Sequence, residues 1–399
     1  MRILNKPVVT IGNRKAKTLP QLLGAGLVFS LLVSVAVVNG EADIKGEKAD
    51  HNPAVNADGT ISVPAFEFPL PAELSPEARS YMIGILEKPP ISTPVTAQIE
   101  TAEQYRDYVE NYRATMNNMF ATFEAEVLKA HPVKITAQQM AGVPVEIFTP
   151  ASVAVKNKNR VLINLHGGGF FAGEKHIGRI ESAPIADIGK IRVVSVNYRQ
   201  GYEHTFPAAS EDVEKVFDEL RKEYPPQNIG IYGCSAGAAL AGQTISWLLD
   251  KGKPLPGAIG MLSAGAGGSG DSLYIATISM AQPAPPASAA SGGSMRSSKF
   301  GYFSTAPDSH SADGHLVDFR QAPKELRARF PPTLLVTGTR SFDMSSVLSS
   351  HRSLTQVGVD TSLQVFDGMP HCFVYQHYMP EAKDAFDTTL RFFDRHLGK

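Results

Sequence analysis

The chain has 399 residues, 43% apolar and 19% charged, with 38 basic and 39 acidic side chains and a formal net charge of −1. Such a chain can bury a sizeable core and does not read as disordered. Without long runs of like charge it gives no sign of nucleic-acid binding.

The N-terminal segment opens with Arg2, Lys6, Arg14, Lys15 and Lys17 and no acid, continues through an apolar stretch from Leu19 to Val38, and reaches small residues at Gly40 and Ala42. Charge, apolar run and small residues in that order predict a secretory signal over residues 1–40. The stretch is also just long enough to span a bilayer, so an uncleaved membrane anchor with its basic end inside is the alternative. In both cases the globular part is expected to be exported, periplasmic or secreted. No Cys lies near the segment to carry a lipid. Beyond residue 40, 33 basic and 39 acidic side chains remain, a balance of −6.

Residues 41–75 mix charges, Pro and Gly without periodicity and read as a linker. Residues 76–130 read as helical. In Thr101–Ala130 the residues Tyr105, Tyr108, Val109, Tyr112, Met116, Met119, Phe120, Phe123 and Val127 recur at three and four, one apolar stripe on a helix. The region 41–132 is therefore expected to hold the linker and an N-terminal helical cap.

From Val133 the pattern changes to short strands. Pro144–Pro150, Arg160–Leu165, Ile191–Tyr198, Asn228–Gly233, Gly257–Ser263, Thr333–Gly338 and Ser362–Asp367 are predicted strands. Helices are predicted over Ala208–Tyr224, Ser235–Asp250, Ser345–Gln356 and Pro380–Leu397. This alternation predicts an α/β fold over 133–399, a doubly wound, mostly parallel sheet with helices on both faces. One stretch, 265–331, separates two strands by more than sixty residues and is rich in Pro, Ala, Ser and Gly over Gln282–Ser298. An insertion of that length predicts a cap or lid with a mobile loop; a surface insertion of no consequence is the plainer reading of Gln282–Ser298.

Three motifs carry chemistry. Gly233-Cys234-Ser235-Ala236-Gly237 fits G-x-S-x-G and lies between a predicted strand and a predicted helix, where a sharp turn projects a nucleophilic serine off the sheet. An ordinary glycine-rich turn is the competing reading of the pentapeptide alone. His166-Gly167-Gly168-Gly169-Phe170 follows the strand VLINL, and its glycines let backbone N–H groups approach a reacting oxygen. Gly168 and Gly169, with Ala236, are the expected oxyanion donors; His166 is expected to be a structural hydrogen-bonder. A phosphate loop fits poorly, because neither G-K-[ST] nor G-x-G-x-x-G is present. Gly368-Met369-Pro370-His371-Cys372-Phe373 places a histidine on a loop after the last predicted strand. Serine needs an adjacent base, and His371 is the candidate.

Together with Asn197-Tyr198-Arg199, Glu203-His204 and Phe206-Pro207-Ala208-Ala209, these motifs resemble the hormone-sensitive-lipase-like branch of the α/β-hydrolases, the bacterial esterases marked by H-G-G-G. The resemblance runs from about Val133 to the C-terminus. It implies an α/β-hydrolase sheet, an N-terminal cap, and hydrolysis of short- to medium-chain acyl esters without a cofactor or metal. It also implies a triad acid three residues after the glycine that ends the next-to-last strand. Here that position holds Ser341. Asp343, two residues later, is the nearest carboxylate and the expected acid; Asp367, a triad without a carboxylate, or a helix N-cap role for Asp343 are the alternatives.

The two cysteines are too few for a disulfide scaffold or a structural zinc site. Cys234 precedes the expected nucleophile and Cys372 follows the expected base. Two buried, unpaired thiols are the expected state, with a disulfide as the alternative. Trp247 is expected in the core, Phe170 and Phe171 either line an acyl pocket or simply pack, and Glu203 and His204 are expected to brace a turn. The expected partner is a small-molecule ester, and no feature points to an oligomeric state. An amidase or peptidase on the same triad, and a non-catalytic ligand-binding protein on a hydrolase scaffold, are the rival functions.

Overall fold

In the computed structural model, residues 53–88, 99–281 and 299–398 are described, apart from positions 58, 64 and 269. The expected signal or anchor over 1–40 and the segment Gln282–Ser298 lie outside the described residues. The chain divides into two units, 1–66 and 67–399. The described part of the first is a short antiparallel hairpin, Ala54–Val55 against Ile61–Ser62, within the stretch read as linker.

Eight strands form one sheet: β1 (Val133–Met140), β2 (Val143–Pro150), β3 (Val161–Leu165), β4 (Arg192–Val196), β5 (Ile229–Cys234), β6 (Ala258–Leu262), β7 (Thr333–Gly338) and β8 (Thr361–Phe366). Their order is β1-β2-β4-β3-β5-β6-β7-β8. The β1–β2 and β2–β4 pairs are antiparallel and all others parallel. The strands β3, β5, β6 and β7 are buried along their whole length, as strands covered on both faces must be.

Alternate side chains feed two cores. Ile163, Val194, Ile231 and Ile259 point to the face covered by α4 (Ala208–Leu220) and α5 (Ala236–Asp250). Leu162, Val193, Tyr232 and Ala258 point to the other, covered by α3 (Ile177–Gly189) and α8 (Pro380–His396). Before the sheet come α1 (Pro76–Leu86) and α2 (Ala102–Ala130), the latter opened by a reciprocal Thr101–Gln104 capping box. Of the predicted α2 stripe, Tyr105, Val109, Phe120 and Val127 are buried, while Met119 stays exposed. Glu124 of α2 is hydrogen-bonded to His176 and forms an ion pair with Arg179, which also reaches Glu146 on β2.

Two elements were not foreseen individually. Strand β1 pairs on one side only and is largely exposed, so it lacks an apolar run. Helix α3 is buried over most of Ile177 to Ala186 and contains Pro184, a residue that argues against a helix interior when read from sequence.

Among its described residues, the insertion after β6 contributes α6 (Ser272–Ser279), three 3₁₀ turns and a short helix at Lys324–Arg327. Its later part is docked: Tyr302 and Phe303 pack on Phe170 with ring centroids 5.1 and 4.9 Å away. Its earlier part meets the loop after β7 and the first turn of the helix that follows it. Ser345 N–H donates to Ser272 Oγ at 3.0 Å, and the Arg340 guanidinium donates to the carbonyls of Ser279 and Pro69 at 2.8 and 2.7 Å. Trp247, expected in the core, lies instead half-buried on the outer side of α5; its indole N–H needs an acceptor and donates to Glu214, and Lys251 sits 4.1 Å above its ring.

Candidate active site

Ser235 stands at the bend between β5 and α5 with φ 57° and ψ −121°, a conformation a non-glycine residue adopts only under strain. Neighbouring backbones enforce the bend. A Cβ at Gly233 would fall 2.2 Å from the Leu165 carbonyl oxygen, and one at Gly237 would fall 1.7 Å from it. Only glycine fits on either side, so the serine hydroxyl is lifted off the sheet edge at the N-terminus of α5.

His371 arrives on the loop after β8. Its Nε2 lies 2.8 Å from Ser235 Oγ and its Nδ1 2.8 Å from Asp343 Oδ1. Asp343 is 4% exposed. Its second oxygen accepts the Thr337 hydroxyl at 2.9 Å, and the Ser341 hydroxyl also donates to Oδ1. The residue in the expected acid position thus turns its hydroxyl onto the carboxylate two positions later. Asp343 occupies the N-cap of α7 (Met344–Thr355), but its side chain makes no capping bond. Asp367 is engaged elsewhere, accepting the Thr339 hydroxyl at 2.9 Å. Phe342, 40% exposed, stacks on the His371 ring at 4.2 Å. Neither Phe342 nor Thr337 was singled out from sequence, where a lone Phe or Thr carries no signal; Ser341 was noted only as the occupant of the expected acid position.

The glycine loop sits beside the bend. Gly168 has φ 120°, and a Cβ there would lie 2.1 Å from the Ala172 carbonyl oxygen. Among the described residues, no backbone or side-chain acceptor takes the N–H of Gly168 or Gly169. Ala236 is the first residue of α5, where an N–H has no partner within the helix. His166 is fully buried, stacks on Tyr198 at 4.4 Å and holds its Nδ1 2.7 Å from the Gly167 carbonyl oxygen. Burial pushes its pKa down, so the ring is neutral. Phe170 and Phe171 are buried, the first against Tyr302 and Phe303 and the second against Tyr112. Glu203 braces its turn through Arg113, at 2.6 Å.

Cys234 and Cys372 are joined by a disulfide, which corrects the expectation of unpaired thiols. The bond is reachable because the Ser235–His371 contact draws both flanking backbones together, with the Cα atoms 6.3 Å apart.

Serine hydroxyl, imidazole and carboxylate thus form one hydrogen-bonded line next to unpaired backbone donors, a geometry suited to nucleophilic attack by serine. A sequence profile of the alpha/beta hydrolase fold matches residues 162–375, more than half of the chain. The chain belongs to the alpha/beta hydrolase fold family.

Its relatives include an acetyl-hydrolase of Streptomyces hygroscopicus, 36% identical over 26% of this chain and 35% of that protein. The chain spans about a third of the length of the curated relatives it matches. Among solved structures, an esterase designated E25 superposes with a TM-score of 0.69 at 26% identity, covering 84% of this chain and 98% of that one. An esterase from the bacterial hormone-sensitive lipase family superposes with a TM-score of 0.61 at 24% identity, covering 81% and 99%, and shares the fold.

Proposed function

We propose that the protein is a serine carboxylesterase acting on short- to medium-chain acyl esters. The observation that carries this reading is the unbroken line Asp343–His371–Ser235, with both contacts to the imidazole at 2.8 Å. The names of the relatives, an acetyl-hydrolase and esterases, support it.

In the proposed mechanism His371 Nε2 takes the Ser235 proton as Oγ attacks the ester carbonyl carbon. Negative charge on the carbonyl oxygen is met by the N–H groups of Gly168, Gly169 and Ala236. His371 then gives its proton to the departing alkoxide, releasing alcohol and leaving an acyl-serine. Water repeats the sequence: His371 takes one of its protons, the hydroxide adds to the acyl carbon, and the proton returns to Ser235 as the acid leaves. Asp343 keeps the imidazole in the Nδ1–H tautomer and stabilises the imidazolium.

An exported location fits the basic-then-apolar N-terminal segment and the Cys234–Cys372 disulfide, a bond that persists in oxidising compartments.

Hydrolysis of p-nitrophenyl esters of graded chain length, together with fluorophosphonate labelling, tests the reading. Wild-type protein should turn over and become labelled; Ser235→Ala should do neither, and His371→Ala should lose turnover. A labelled serine other than Ser235 would end it. Matched aryl-ester and anilide substrates separate ester from amide preference.

A further inference from the structure

Glu181 lies on α3, outside every motif read from the sequence, and is 4% exposed. Its carboxylate gathers donors from separate segments. Oε1 accepts the Gly167 N–H at 3.0 Å and the Tyr375 hydroxyl at 2.8 Å; Oε2 accepts Asn164 Nδ2 at 2.8 Å. Burial pushes this carboxyl up to about 7, against the opposing pull of the Asn164, Tyr375 and Gly167 hydrogen bonds. None of these partners is a cation.

The three donors map onto the site. Asn164 is near the end of β3, Gly167 opens the glycine loop, and Tyr375 lies four residues after His371. Resting on the esterase reading above, we propose that Glu181 is a positioning residue. Its carboxylate orients the glycine-loop peptides toward the oxyanion and holds that loop in register with the loop that carries His371.

The physical reason is the freedom of the loop. Consecutive glycines have few steric preferences, so a Gly-Gly peptide can flip and turn a carbonyl where an N–H is needed. A fixed acceptor on Gly167 N–H sets the orientation of the first peptide. The next two N–H groups are then left without a protein acceptor, which is the state an oxyanion hole requires. The same oxygen binds Tyr375, so a shift of the histidine loop and a shift of the glycine loop meet at one atom.

Glu181→Leu removes the acceptor; Glu181→Gln keeps one carbonyl oxygen for Gly167 and Tyr375; Tyr375→Phe removes one donor. Active sites are counted by fluorophosphonate titration, and kcat and KM for a p-nitrophenyl ester are measured per titrated site. Glu181→Leu should lower kcat by about 10- to 100-fold with KM changed little, less than outright deletion of an oxyanion donor. Glu181→Gln should recover most of that loss, and Tyr375→Phe should lower kcat several-fold. Unchanged kcat per site in a folded Glu181→Leu overturns the proposal. If that variant does not fold, unchanged kcat in Tyr375→Phe overturns it. Wild-type protein that neither turns over nor labels removes the esterase reading and this inference together.

Discussion

The Cys234–Cys372 disulfide joins the residue before Ser235 to the residue after His371. A covalent link thus spans the same gap as the 2.8 Å contact between the serine hydroxyl and the imidazole. The bond closes a loop of 138 residues in the sequence. Replacing both cysteines by alanine should cost about 2–4 kcal/mol of stability. It should also lower kcat a few-fold, because His371 would rely on Asp343, Phe342 and the Cys372 N–H bond to Ser263 for its position. Thermal unfolding and kinetics, with and without dithiothreitol, check both. Thiol titration of denatured protein should find no free thiol until reductant is added; two free thiols beforehand would refute the link.

The acid is decided by three substitutions. Asp343→Asn should lower kcat by on the order of 10⁴ while leaving Ser235 in place. Asp367→Asn should stay near wild type, since that carboxylate bonds Thr339 instead. Ser341→Ala should fall between them with a loss below about tenfold, because Thr337 still holds the second Asp343 oxygen. A wild-type rate for Asp343→Asn would remove it from the relay.

Gly237→Ala presses a methyl group onto the Leu165 carbonyl, a backbone atom that cannot rotate away. The cost should reach at least about 3 kcal/mol, the upper end of what overpacking usually causes. Gly84→Ala is the contrasting change, in α1, where an added Cβ meets nothing within 4 Å. It should stabilise by up to about 1 kcal/mol. Melting temperatures of the two variants provide the comparison.

Glu181 gives stability a pH dependence of known sign. Its carboxyl, raised in the fold from 4.5 to about 7, holds a proton that the unfolded chain releases earlier. The native state therefore binds more protons between those values, and stability from this group is full below about 4.5 and lost as pH rises toward 7. Glu181→Gln does not titrate. Relative to wild type, the variant should gain up to about 3 kcal/mol between pH 4.5 and 8. Denaturant unfolding of both proteins across that range measures the difference; a pH-independent gap would contradict the assignment.

Much of the framework was readable because its physics is local. Strands such as Thr333–Gly338 are continuous apolar runs, and the bend at Ser235 announces itself through the two glycines that the Leu165 carbonyl demands. His371 was recognisable by its place after the last strand. Asp343 was harder, because its role depends on how a loop curls: the spacing from Gly338 pointed at Ser341, and only the packed loop brings the carboxylate to Nδ1. Helix α3 and Glu181 were invisible for a related reason. A mostly buried helix interrupted by Pro184 and small residues reads ambiguously, and a carboxylate that collects three donors from distant positions leaves no spacing to detect. The disulfide was undecided because its feasibility rests on the distance between backbones 138 positions apart.

The nucleophile and its base lie 136 positions apart along the chain. A polypeptide leaving the ribosome therefore presents Ser235, already flanked by its glycines, well before the imidazole that would activate it has been translated. Until the eighth strand docks beside the seventh, nothing holds the loop that carries His371 against Ser235, so the hydrogen-bonded line exists only once the last strand is in place.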